Sequence, residues 1–238
     1  MRKFISLVLV ALMLLMCTAC GGGEDNPSGT NPSTDNPGTS SSETGNNGDT
    51  TKDPVADITM SDVMNHAESP ASDFFCNDDG NGGVIIMEYL GEAEIVVIPE
   101  TINGKSVSKI NKYVFANDST VKGIKLSSTI KEIGGFAFAQ NKNLQYVVFG
   151  NGVETVGESA FQACTSLKEV SINDGVKVIK QLAFSQCTAL KSVTLPESVE
   201  TIEVIAFNLM AEGFKIIGKA GSVAETYAAS ASIAFEAK

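Results

Sequence analysis

The sequence predicts an α/β solenoid of about five 23-residue coils, with an N-terminal β cap and a C-terminal helix/strand cap. Phe115, Phe138, Phe161, Phe184 and Phe207 recur at intervals of 23 residues. Further apolar columns keep the same period: Ile110, Ile133, Val156, Ile179 and Ile202 stand five residues earlier, and Ile124, Val147, Val170, Val193 and Ile216 nine residues later. A single coil of this kind cannot bury its apolar face, whereas stacked neighbours make a continuous core, so the period implies an array.

In chain order, residues 1–19 read first as a secretory signal. Met1-Arg2-Lys3 precedes an apolar run from Phe4 to Met16 broken only by Ser6. That run is shorter than the roughly 20 apolar residues of a retained spanning helix. The boundary Cys17-Thr18-Ala19-Cys20 resembles a bacterial lipobox, which implies diacylation of Cys20 as the mature N-terminus; the alternative is an ordinary cut near Ala19. Between Gly21 and Pro54 lie 34 residues with no apolar side chain apart from four prolines. Such a stretch has nothing to bury, so residues 20–54 are expected to form a lipidated, disordered tether. Loss of Arg2 and Lys3 with the signal, and of no acid, takes the formal charge from −11 to −13. A surface this acidic disfavours nucleic acid as a partner.

Residues 55–73 are expected to lead into the domain with a weak amphipathic helix between Val55 and Ser69. The repeat domain with its caps is placed at 74–238. Asp73 to Pro99 reads as three strands separated by turns at Asp79-Gly80, Gly82-Gly83 and Gly91, and Asn103-Gly104 is a tight-turn signal. Within each coil, Leu167-x-x-Val170-x-Ile172 alternates as a short strand, Val176-x-x-Ile179 makes a second extended piece, and Ala183-Phe184 opens about one helical turn. The fifth coil carries Gly213 where the others carry Val121, Leu144, Leu167 and Leu190, so Phe207 is expected to contribute less than Phe161. Gly221 to Ala228 reads as a short capped helix and Ile233-Ala234-Phe235 as a closing strand.

The segments Leu144 to Phe161 and Leu167 to Cys187 carry the pattern Leu-x-x-Val/Ile-x-Leu, a spacer, then Val-x-x-Ile-Gly-x-x-Ala-Phe-x-x-Cys. The chain from about Phe74 onward resembles the BspA-like leucine-rich repeats of bacterial surface proteins. Its glycine column departs from the pattern at Lys180 and Glu203. The resemblance implies a right-handed leucine-rich-repeat solenoid outside the cell, and a role in adhesion such as binding of host matrix proteins.

Little in the chain points to catalysis. A nucleophile–histidine site would have to recruit the sole histidine, His66, from outside the repeats. No Cys/His cluster has zinc spacing, and Asp78-Asp79-Gly80-Asn81 lacks the rest of a calcium loop. No cofactor or metal is expected. Cys164 and Cys187 share one repeat position and would stack at about 5 Å, within disulfide reach. Two buried free thiols are the default reading and a bridge the alternative.

What remains is surface. Residues flanking the inward position of the central strands point away from the core. They form the columns Ile95, Gly123, Tyr146, Glu169, Ser192 and Val97, Lys125, Val148, Ser171, Thr194. The candidate binding face is therefore Gly123, Lys125, Tyr146, Val148, Glu169, Ser171, Ser192 and Thr194, with Tyr146 as a candidate anchor. Cross-strand stabilisation of the sheet is the competing explanation for those side chains. The expected function is a lipid-anchored, non-enzymatic binding or adhesion module for a protein or glycan at the cell exterior. The alternative is a structural envelope component without a specific external ligand.

Overall fold

The computed structural model describes residues 57–238, and the signal, Cys20, the whole linker to Pro54 and the first two residues of the lead-in lie outside the described residues. A helix α1 (Met60–Asn65) precedes an antiparallel pair, β1 (Phe74–Asp78) and β2 (Val84–Tyr89). The Asp79 carboxylate holds the turn between them by accepting from the Asn81 and Gly83 amides, each at 2.8 Å. The acidic stretch is thus a turn. A small antiparallel hairpin, β4 (Thr101–Ile102) with the start of β5 (Lys105–Ile110), closes on Asn103 and Gly104. Both residues have positive φ, 52° and 76°, as the two-residue hairpin turn requires.

Each later coil contributes to two parallel sheets. The first comprises β3 (Ile95–Val97), β6 (Gly123–Lys125), β8 (Tyr146–Val148) and β10 (Glu169–Ser171), hydrogen-bonded in the order β10-β8-β6-β3. The row continues as a separate sheet of β12 (Ser192–Thr194), β14 (Lys215–Gly218) and β15 (Ala234–Ala237). The opposite sheet runs β1-β2-β5-β7-β9-β11-β13, where β7 is Glu132–Ile133, β9 Thr155–Val156, β11 Val178–Ile179 and β13 Thr201–Ile202. Between the two lie the apolar columns. The five phenylalanines stack with centroids 4.9–5.2 Å apart and ring planes within 7° of parallel. That distance is the strand spacing, so the aromatic column and the backbone ladders share one repeat.

The third side of each coil differs from the helical turn that the sequence suggests. It is a pair of tight turns, with non-glycine residues at positive φ two positions before and two after each phenylalanine: Ser159 (54°) and Ala163 (58°), or Leu182 (59°) and Gln186 (62°). The reason lies in the backbone donors. Phe161 N–H donates to Ala183 C=O of the next coil at 2.8 Å, and Phe184 N–H to Ala206 C=O at 2.9 Å. A helix would turn these donors back along its own axis, so lateral bonding to the next coil excludes it. The glycine column has an equally local cause. A Cβ at Gly157 would sit 2.5 Å from the Ile133 carbonyl oxygen, because the backbones pass too closely there for a side chain.

The C-terminal cap is helix α2 (Val223–Ser230) followed by β15. Phe207 has no further coil to receive its N–H, and the Tyr227 hydroxyl accepts it at 3.1 Å. Phe207 is buried, though slightly less completely than the other members of its column. Gly213 adopts φ of 74°, and the turn it makes lets Phe214 pack on Phe207 with centroids 5.8 Å apart. Cys164 and Cys187 are buried free thiols that donate to the Phe138 and Phe161 carbonyls at 3.1 and 3.2 Å.

Candidate binding face

The parallel ladders bring the two outward columns into register. Ile95, Gly123, Tyr146 and Glu169 lie side by side, as do Val97, Lys125, Val148 and Ser171. Ser192 and Thr194 head the continuing sheet, opposite Lys215 and Ile217. The inward residues Val96, Ile124, Val147 and Val170 are buried, so strand alternation leaves the columns facing outward.

Half of this face is already occupied by the chain's own lead-in segment. α1 lies across β3, β6 and β8. Its one buried residue, Val63, is fully enclosed and sits over Gly123; a Cβ placed there would meet Val63 Cγ2 at 2.4 Å and Ile58 Cδ1 at 3.1 Å. Lys125 Nζ donates to the Met64 carbonyl at 2.7 Å. Lys168 Nζ lies 5.8 Å above the centre of the Tyr146 ring, donates to Gln145 Oε1 at 2.8 Å, and stands 3.5 Å from the Asp57 carboxylate. Within α1, the Thr59 hydroxyl accepts from the Asp62 amide and the Asp62 carboxylate from the Thr59 amide, a capping box. The bonds from Thr59, its hydroxyl first, hold the Asp62 carboxyl below its ordinary pKa.

Gly123 and Val148 are therefore buried and Lys125 and Tyr146 half-buried, while Glu169 and Thr194 are exposed and Ser171 and Ser192 half-buried. Shallow grooves flank the segment. One, of about 370 Å³, is bordered by His66, Glu100, Lys125, Asn151 and Asn173; the other, of about 440 Å³, by Asp57, Ser61, Asp62 and Ile95. Periodicity could not reveal this cover, because Val63 belongs to no repeat and meets Gly123 across sixty positions of sequence. The available signals were Thr59-x-x-Asp62 as a helix start and the missing side chain at Gly123 in an otherwise occupied column.

The opposite sheet has a different surface. Lys109 pairs with Glu132 at 2.9 Å, and Glu154 lies between Lys131 and Lys177 at 3.8 and 3.1 Å. These charges pair with one another from coil to coil along the ladder. Among the described residues no group of three His, Cys, Asp or Glu side chains is placed to hold a metal.

Residues 96–212 match the model of the BspA type leucine rich repeat region in six copies. A leucine-rich-repeat protein from T. pallidum superposes with a TM-score of 0.60 at 30% identity, over 63% of this chain and 71% of that one. A leucine-rich-repeat protein from Bacteroides ovatus superposes with a TM-score of 0.53 at 26% identity, over 65% of this chain and 40% of that one. No curated protein matches the sequence.

Proposed function

Because the chain belongs to the BspA-type leucine-rich-repeat family, we propose that it is a non-enzymatic binding module displayed at the bacterial cell surface, tethered through acylated Cys20. Its ligand is a protein or glycan outside the cell. The observation that carries this reading is the contrast between the two sheets. On one, outward charges pair between neighbouring coils, and the other presents the half-buried Tyr146 beside Ser171, Ser192 and Thr194 in aligned rows. Aligned rows on a rigid array make a platform, and a half-buried tyrosine offers contact area with a polar tip.

Two experiments test the reading. Cys20→Ser should release the protein into the medium or leave its precursor unprocessed; an unchanged membrane fraction, with no labelled fatty acid on the wild type, removes the anchor. The domain from Val55 onward, immobilised and offered host matrix proteins and the cell's own wall, should retain a component of one of them. Tyr146→Ala should then weaken retention by more than about 1 kcal/mol, and Lys177→Ala, on the ion-paired sheet, should not. Retention lost with Lys177→Ala alone would put the binding face on the other sheet. The competing reading, a structural envelope component, predicts that neither material is retained.

A further inference from the structure

We propose that α1 is an exchangeable occupant of the β6–β8 face, and that this face accepts a short amphipathic helix of a partner protein. The partner segment carries a β-branched aliphatic anchor within its helix and an acidic residue ahead of the helix's first turn. This rests on the binding-module reading and specifies its partner.

The seat is shaped for such a segment. Gly123 is the one bare position in a column otherwise made of Ile95, Tyr146 and Glu169, and the vacancy is filled by one aliphatic side chain, Val63. Two cations mark the ends of the seat: Lys125 reaches the carbonyl of Met64 in the helix's last turn, and Lys168 stands by Asp57 ahead of its first. Anchor, acid and free terminal carbonyl are thus the three features the face reads.

The present occupant is lightly held. Its cap and side-chain bonds are internal, Thr59 with Asp62 and Asn65 with Ser61, so they survive departure from the sheet. A six-residue helix has little stability of its own, and only Val63 is buried. Past it, Ala67 and Glu68 are exposed, and then Ser69 is stapled to Val97 by two bonds, N–H to carbonyl at 2.9 Å and Val97 N–H to hydroxyl at 3.1 Å. The segment can therefore leave at 67–68 without opening the cap.

Two variants of the full chain separate leaving from seating. Val63→Asp ejects the anchor and keeps the notch; Gly123→Val ejects the anchor and fills the notch. Hydrogen exchange at 59–66 should accelerate in both, with β6 and β8 still protected. The probe is a fluorescein-labelled peptide copying residues 55–68, followed by polarisation. It should bind Val63→Asp at least about tenfold tighter than wild type, whose own segment competes, and should not bind Gly123→Val. Equal binding to both variants, or to neither while exchange shows both open, overturns the proposal. A wild-type dimer that dissociates with Val63→Asp would assign the seat to a second copy's α1 instead. If the peptide fails yet matrix or wall retention persists, the helix seat is wrong and the binding module stands. Peptide binding without any matrix or wall retention would leave the helix seat standing and remove the wider ligand reading.

Discussion

Cys164 is buried, and that burial pushes its thiol pKa up to about 12 from about 9. Between those values the unfolded chain binds fewer protons than the native one, so stability falls as pH rises through that window and is unaffected below it. The slope for this one thiol is about 1.4 kcal/mol per pH unit. Denaturant midpoints at about pH 8 and about pH 10.5 should diverge in the wild type and diverge less in Cys164→Ala. The adjacent Ala163 offers a second test, because its φ of 58° disfavours any side chain. Ala163→Gly should stabilise by about 0.5–1 kcal/mol, since relief of the left-handed conformation outweighs glycine's extra unfolded entropy. Destabilisation in the same titration would mean that the turn is not strained. The sequence marks Cys164 plainly by its repeat position. It gives no sign of the left-handed residues, since Tyr113, Phe136, Ser159, Leu182 and Ile205 share a conformation without sharing a residue type.

Among the elements, the two caps differ in how far sequence exposes them. α2 and β15 follow a Gly-Ser start, Tyr227 and Phe235, local features that sequence carries directly. The role of Tyr227 is not local: its hydroxyl replaces the carbonyl that a sixth phenylalanine coil would have offered to Phe207. Tyr227→Phe should cost about 1–3 kcal/mol by leaving that buried amide unpaired, with α2 retained by circular dichroism. A loss within error would show that water reaches Phe207 N–H. α1 is the reverse case, a helix whose start is legible and whose seat is not. What centres it on β6 and β8 is one vacancy and one valine, with Lys125 and Lys168 at its ends, and neither the vacancy nor the valine repeats.

At the scale of the whole molecule, the core is one column in which every coil leans on its neighbours. Phe161→Ala, at the centre, should cost about 3–5 kcal/mol through lost burial and a cavity. Phe207→Ala should cost a similar amount, because Phe184, Phe214 and Tyr227 pack around it at the end of the column. A clearly smaller loss at Phe207 in the same urea titration would mean that the last coil frays. The array itself is the most legible part of this protein, since a 23-residue period repeated in several columns has no competing fold. The aromatic column has one further property. It is bounded by Tyr89 and Tyr227, and each spends its hydroxyl on a backbone amide, Ala93 N–H at one end and Phe207 N–H at the other. Neither terminus senses how many phenylalanines lie between. The domain is therefore a ruler with fixed end-stops: splicing in a 23-residue copy lengthens it by one graduation of about 4.8 Å and leaves both end-stops unchanged.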